Sequence, residues 1–279
     1  MDSTVQYAIV SHQKYKTTSY AGKAQINSSH RGNTMNIEIK ERFMEAWEKY
    51  FPGRELPIVC YYTDELGDVK FPNRPKPNRK GYTCIFSQIA PVRQGRSRAF
   101  NMENLGCFGA FIPLGFETNV SDDVKNYICN IERVKKTYEH VDCLYKHHSS
   151  EGIHRKYLVF KRWDTLEEQD EPQVVFFFAN PDVIAGLHTL ANFDSMTAHG
   201  VISPAGSGCD SIVGFPMSEL KSEDPKAVLG ALDPSVRACV KPDIFTFSAP
   251  WTKFMSMLDN MDASFLAANC WSKVKTRFK

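Results

Sequence analysis

From Asn36 onward the apolar residues Ile39, Phe43, Trp47 and Tyr50 recur at helical spacing with Glu and Lys between them. The pattern predicts a packing helix that ends at Pro52-Gly53. The run Ile58-Val59-Cys60-Tyr61-Tyr62 has the length and residue types of a buried strand. Residues 65–81 carry Pro72, Pro75 and Pro77 among Arg and Lys and predict a long loop. Residues 82–94 predict a short helix carrying Cys84 and kinked at Pro91, followed by extended chain at 96–100 and a glycine-flanked turn at Cys107. Ser121-Asp122-Asp123 supplies a cap and an acidic first turn. Val124, Ile128, Ile131, Val134, Tyr138, Val141 and Tyr145 then predict one face of a single long helix that divides the folded part.

Beyond it, residues 156–162 and 173–179 predict two strands joined by the acidic loop 164–171, a hairpin with a long connection. A helix starts at Pro181-Asp182, a strand covers 244–247, and a helix follows Pro250. These elements contain a weak internal repeat. Strand 58–62, helix 83–94 and turn Gly106-Cys107 correspond in order to strand 174–178, helix 182–193 and turn Gly208-Cys209. The expected fold is therefore α+β, with two pseudo-repeated strand-helix-turn halves, about 55–150 and 155–265, packed as one globular domain over 35–279.

Composition narrows the partners. The chain has 279 residues, 42% of them hydrophobic, enough to bury a full core. With 34 basic against 32 acidic residues the net charge is +2, too balanced for a protein whose main work is gripping nucleic acid. No apolar run approaches the roughly 20 residues of a membrane helix. Residues 1–34 are polar and aperiodic, lack the pattern of a secretory signal, and predict a disordered tail ahead of Met35. Eight cysteines without such a signal predict a reducing, cytoplasmic setting, and the absence of any C-x-x-C pair removes zinc ribbons and thioredoxin-like motifs.

Several short motifs carry a family resemblance. Tyr82-Thr83-Cys84, a helix, a basic extended stretch and Leu105-Gly106-Cys107-Phe108-Gly109-Ala110 come first. Asn180-Pro181 before a helix, Gly208-Cys209 with Pro216, Arg237, and Phe247-Ser248-Ala249-Pro250 follow in order. Together they resemble domain-of-unknown-function family 169, a group of uncharacterised prokaryotic proteins, over residues 37–265. The resemblance implies no reaction, but it draws attention to Cys84, Cys107, Cys209 and Arg237.

Three cysteines on separate elements can converge as thiolate ligands, with Cys239 as a fourth, which is how an iron-sulfur cluster or a zinc site is built. Their spacing matches no compact ligation motif, so only the fold can bring them together. Cys107 and Cys209 both fall near the start of a helical turn, where a thiolate is stabilised; a small apolar residue fitting a tight turn is the plainer alternative. Residues 70–98 hold Lys70, Arg74, Lys76, Arg79, Lys80, Arg93, Arg96 and Arg98 and no acidic residue, a setting for an anionic ligand or simply a solvated basic loop. Cys143 and His147 lie four apart on the predicted long helix and read as surface groups, and the remaining histidines have no assigned role. No phosphate-binding or nucleophile-elbow motif occurs. Three readings stay open. The first is a cysteine-ligated iron-sulfur or metal protein, with Cys84, Cys107 and Cys209 lining a cleft between the halves and Arg237 near an anionic ligand. The others are a metal-free binding module for a small anionic metabolite and a structural or interaction protein.

Overall fold

A computed structural model describes residues 35–71, 83–146 and 155–278. The predicted tail, most of the 65–81 loop and His147, His148 and His154 lie outside the described residues. Helix α1 (Ile37–Tyr50) is capped by Asn36, whose side chain accepts from the Glu38 amide, and it buries Phe43, Trp47 and Tyr50 as their spacing predicts. The chain is a mixed α+β protein, and its strands make a seven-stranded sheet among the described residues. In chain order these are β1 (Ile58–Thr63), β2 (Arg98–Phe100), β3 (Tyr157–Arg162), β4 (Val174–Ala179), β5 (Val201–Ile202), β6 (Ala227–Gly230) and β7 (Phe245–Pro250). They lie in the order β2-β3-β1-β4-β7-β6-β5.

Every residue of the central strand β4 is buried. A strand that is apolar on both sides needs cover on both sides, because its side chains alternate between the faces. On one face Val175, Phe177 and Ala179 pack with Val59 and Tyr61 under regular helices: α1, α5 (Pro181–Ala191), α8 (Trp251–Asn260) and α9 (Asn269–Lys275). On the other face Val174, Phe176 and Phe178 pack with Ile58, Cys60 and Tyr62 under short pieces. These include α2 (Ile85–Gln88), a 3-10 turn at Phe108–Ala110, a π-helical segment at Asp210–Gly214 and α7 (Pro234–Arg237).

Four expectations change. Strands β3 and β4 do not form a hairpin, because β1 inserts between them and pairs antiparallel with both, Ile58 opposite Arg162 on one side and Phe176 on the other. The long helix is broken into α3 (Asp122–Asn126), a π-helical segment (Tyr127–Ile131) and α4 (Tyr138–Tyr145). Arg133 takes a left-handed φ of 57° at the break, and Thr137 caps α4 by accepting from the His140 amide. Ile131 and Val134, placed on the apolar face of the predicted long helix, are exposed there. The helix after β1 also shrinks to α2, followed by turns around Pro91 and a 3-10 turn at Val92–Gln94. Finally, a two-fold relating the antiparallel neighbours β1 and β4 would run perpendicular to the sheet and keep equivalent helices on one face. Helices α2 and α5 pack on opposite faces, so the predicted equivalence of the halves is not met at the helices.

The acidic loop between β3 and β4 closes over a buried cation. Lys161, at 4% exposure, lies 2.9 Å from an oxygen of the equally buried Asp170 and 2.8 Å from Glu167. Asp170 also accepts from the Tyr61 hydroxyl and the Glu167 amide. Removing one partner of a buried pair strands the other charge, so Asp170→Ala is expected to cost about 3–5 kcal/mol in urea unfolding. Adding Lys161→Met should restore much of that loss. A loss below about 1 kcal/mol would mean that Glu167 alone suffices for Lys161.

Candidate functional site

The irregular face gathers the cysteines. Cys84 is the cap residue of α2 and Cys107 the cap residue of the Phe108–Ala110 turn, both with extended backbone. The Thr83 amide donates to the Gly106 carbonyl at 2.7 Å, so the residues immediately before these two cysteines are bonded to each other. Cys209 opens the π-helical segment that runs into α6 (Phe215–Glu219). Gly208 just before it is closely packed: a Cβ there would lie 2.7 Å from the Phe86 ring of α2 and 2.8 Å from Val236 of α7. That approach sets Cys209 beside both short helices. Cys239 follows α7, its amide bonded to the Val236 carbonyl, and its sulfur accepts from the Ser87 hydroxyl of α2 at 3.6 Å. Cys84 and Cys239 pack against the same apolar cluster.

Burial governs the electrostatics of these sulfurs. It pushes the Cys84 thiol up to about 12, opposed by the backbone amide of Phe86. Burial also raises Cys107, while the amides of Gly109 and Ala110 pull it down, and Cys209 stands well above its ordinary value. Cys84, Cys107 and Cys209 act on one another, and the charged side chains acting on Cys107 and Cys209 are the carboxylates Glu132, Asp210 and Asp233. Tyr145, at the end of α4, is raised by burial and feels the same carboxylates Asp210 and Asp233 together with Cys107 and Cys209. Below the cluster, Gln88 donates its amide to the Thr83 carbonyl while its Oε1 lies buried without a partner.

The arrangement falls short of a finished ligand set. Among the described residues no group of three or more His, Cys, Asp or Glu side chains is set to hold a metal ion. All eight cysteines are free thiols. Arg237, drawn to notice by the motifs, donates its guanidinium to the carbonyls of Ala231, Lys241, Pro242 and Ile244 and lies over the Phe245 ring. It folds the 231–245 segment and does not point a free cation at a ligand. Arg93 is likewise engaged, in a two-bond pair with Glu55 and above the Phe178 ring. Arg74, Lys76, Arg79 and Lys80 lie outside the described residues. Cys143 is exposed on α4 and lines an open groove of about 790 Å³ with Lys135, His140, Ile202, Phe215 and Glu219. Two contributors have no sequence signal pointing to the cluster: Ser87 and Tyr145 become neighbours of Cys239 and Cys209 only through the fold.

Sheet and thiols together define an α+β protein with a cysteine cluster, buried at Cys209 and half-buried at Cys84, Cys107 and Cys239, under the irregular face of its sheet. The chain belongs to domain-of-unknown-function family 169 (DUF169), described as uncharacterised ArCR, which it matches over residues 53–260. No curated protein and no solved structure matches it. Among the described residues no helix is long and apolar enough to cross a membrane.

Two predictions follow from this geometry. Gly208→Ala forces α2 or α7 outward and is expected to cost about 1–3 kcal/mol by overpacking; an unchanged urea midpoint would mean that the three segments are not in contact at Gly208. The buried thiols also set an alkaline limit. Below about pH 8.5 folded and unfolded thiols are both protonated. Above it the unfolded chain loses protons that the folded chain keeps, so stability falls as pH rises towards the folded values, about 12 for Cys84. The urea midpoint should therefore drop between about pH 8 and about pH 10, less steeply in Cys209→Ala. Equal slopes in that variant and the parent would contradict the burial of Cys209.

Proposed function

We propose that the chain is a cytoplasmic protein holding a cysteine-ligated iron-sulfur cluster or metal, with Cys84, Cys107 and Cys209 as ligands and Cys239 as the fourth. The observation that carries the reading is the gathering of these four thiols from four distant stretches of chain under one face of the sheet. The surrounding charge supports it. The carboxylates Glu132, Asp210 and Asp233 disfavour thiolates unless a cation arrives with them. A bound metal supplies that charge and displaces the thiol protons outright. Thiolates around a single zinc stand about 2.3 Å from it and crowd together.

The reading requires neither a two-fold relation between the halves nor a free Arg237. Both leading arginines of the anionic-ligand alternative are engaged within the protein, which leaves that alternative with less to stand on. Protein purified without oxygen is expected to show visible absorption with iron and acid-labile sulfide, or stoichiometric zinc. Cys107→Ser and Cys209→Ser should each lose the bound metal while remaining folded. A metal-free parent, or metal retained in both variants, overturns the proposal.

A further inference from the structure

The four sulfurs are not equivalent. Cys84 and Cys239 pack against the same apolar cluster, and the Ser87 hydroxyl donates to the Cys239 sulfur at 3.6 Å from the helix that Cys84 caps. Cys239 thus accepts from α2 while standing on the turn after α7, so one S–S bond to Cys84 would join the two short helices. Both residues are partly exposed, whereas Cys209 is 7% exposed. Cys107 is turned to the amides of Gly109 and Ala110.

From this contact we infer that Cys84 and Cys239 form a thiol-disulfide exchange pair, oxidised by a small-molecule disulfide, that locks α2 to α7. The Cys239 sulfur attacks one sulfur of the small-molecule disulfide. One small thiol leaves with the proton from Cys239, and a mixed disulfide remains on Cys239. The Cys84 sulfur then attacks the Cys239 sulfur of that mixed disulfide. The second small thiol leaves with the Cys84 proton. Two protein thiols are oxidised, one small disulfide is reduced to two thiols, and no further electron donor or acceptor is needed. A sulfur bound in this bridge cannot serve as a thiolate ligand, so oxidation would empty the site. That consequence rests on the metal reading, but the bridge itself does not.

The test uses the full chain, stripped of metal by a chelator and equilibrated with glutathione and glutathione disulfide. Free thiols are then alkylated and the peptides mapped by mass. The expected product is a Cys84–Cys239 cross-link, lighter by two hydrogens, reversed by excess glutathione, abolished in Cys239→Ser and retained in Cys107→Ser. Oxidised protein without this bridge, or with the same bridged fraction assigned to another pair, overturns the inference. If the bridge forms in a protein that binds no metal under any condition, the inference stands and only the metal reading falls. Where metal does bind, the bridged fraction should hold none.

Discussion

Strand β4 sets the architecture, because all six of its residues, Val174 to Ala179, are buried. A strand apolar on both faces cannot lie at an edge or face water, so it takes the centre of the sheet, with β1 on one side and β7 on the other. It also fixes the number of layers at three. The two covering layers are built differently. One is made of helices long enough to present continuous apolar faces, packed through aromatic contacts such as Phe43 with Trp163 and Trp47 with Phe51. The other is assembled from three- to five-residue helical pieces that each contribute one or two apolar side chains.

Short pieces have consequences for polarity. Each brings backbone amides at its start that have no partner within the turn, and these need acceptors. On this face cysteines stand at two of these starts, Cys84 before α2 and Cys107 before the Phe108–Ala110 turn, and neither side chain makes a capping hydrogen bond. A cysteine is small and apolar enough to join the layer and polarisable enough to accept weakly. Glycine does the complementary work. Gly208 lets the start of the π-helical segment approach Phe86 and Val236, and Gly230 does the same against Ser211, whose hydroxyl receives the Ala231 amide. The cysteines therefore meet because their turns must pack against one strand and against each other.

The sequence carries the strongly periodic parts of this fold. Helix α1, strands β1, β4 and β7 and helices α5 and α8 are visible as patterns because their burial repeats along the chain. What escapes it is pairing and termination. The β3–β4 hairpin fails because nothing in either strand records that β1 will insert between them; all three have buried residues suited to either neighbour. The long helix fails because Ile131 and Val134 continue the apolar spacing through a stretch that the left-handed Arg133 in fact interrupts. Strand β6 is only Ala227-Val228-Leu229-Gly230, too short to show a period. For the cluster, the residue type and the turn positions of Cys107 and Cys209 are readable. Their proximity to Cys84 and Cys239 depends on tertiary contacts of Gly208 and Ser87 that leave no local trace.

Arg237 shows how chemistry and architecture separate. A lone arginine beside a cysteine motif reads as a cation for a ligand, yet its planar fork here meets backbone carbonyls of a chain segment that has no regular structure to bond them. Four carbonyls around one guanidinium tie this loop together, from the buried Ala231 to the exposed Lys241 and Pro242. Arg93, held by Glu55 over Phe178, closes the opposite side of the same layer in a similar way. Both cations are absorbed into the scaffold, and the carboxylates Glu132, Asp210 and Asp233 act on the Cys107 and Cys209 sulfurs. Neighbouring carboxylates disfavour the thiolate forms of these cysteines, so a thiolate here is stabilised only where positive charge is brought close to it.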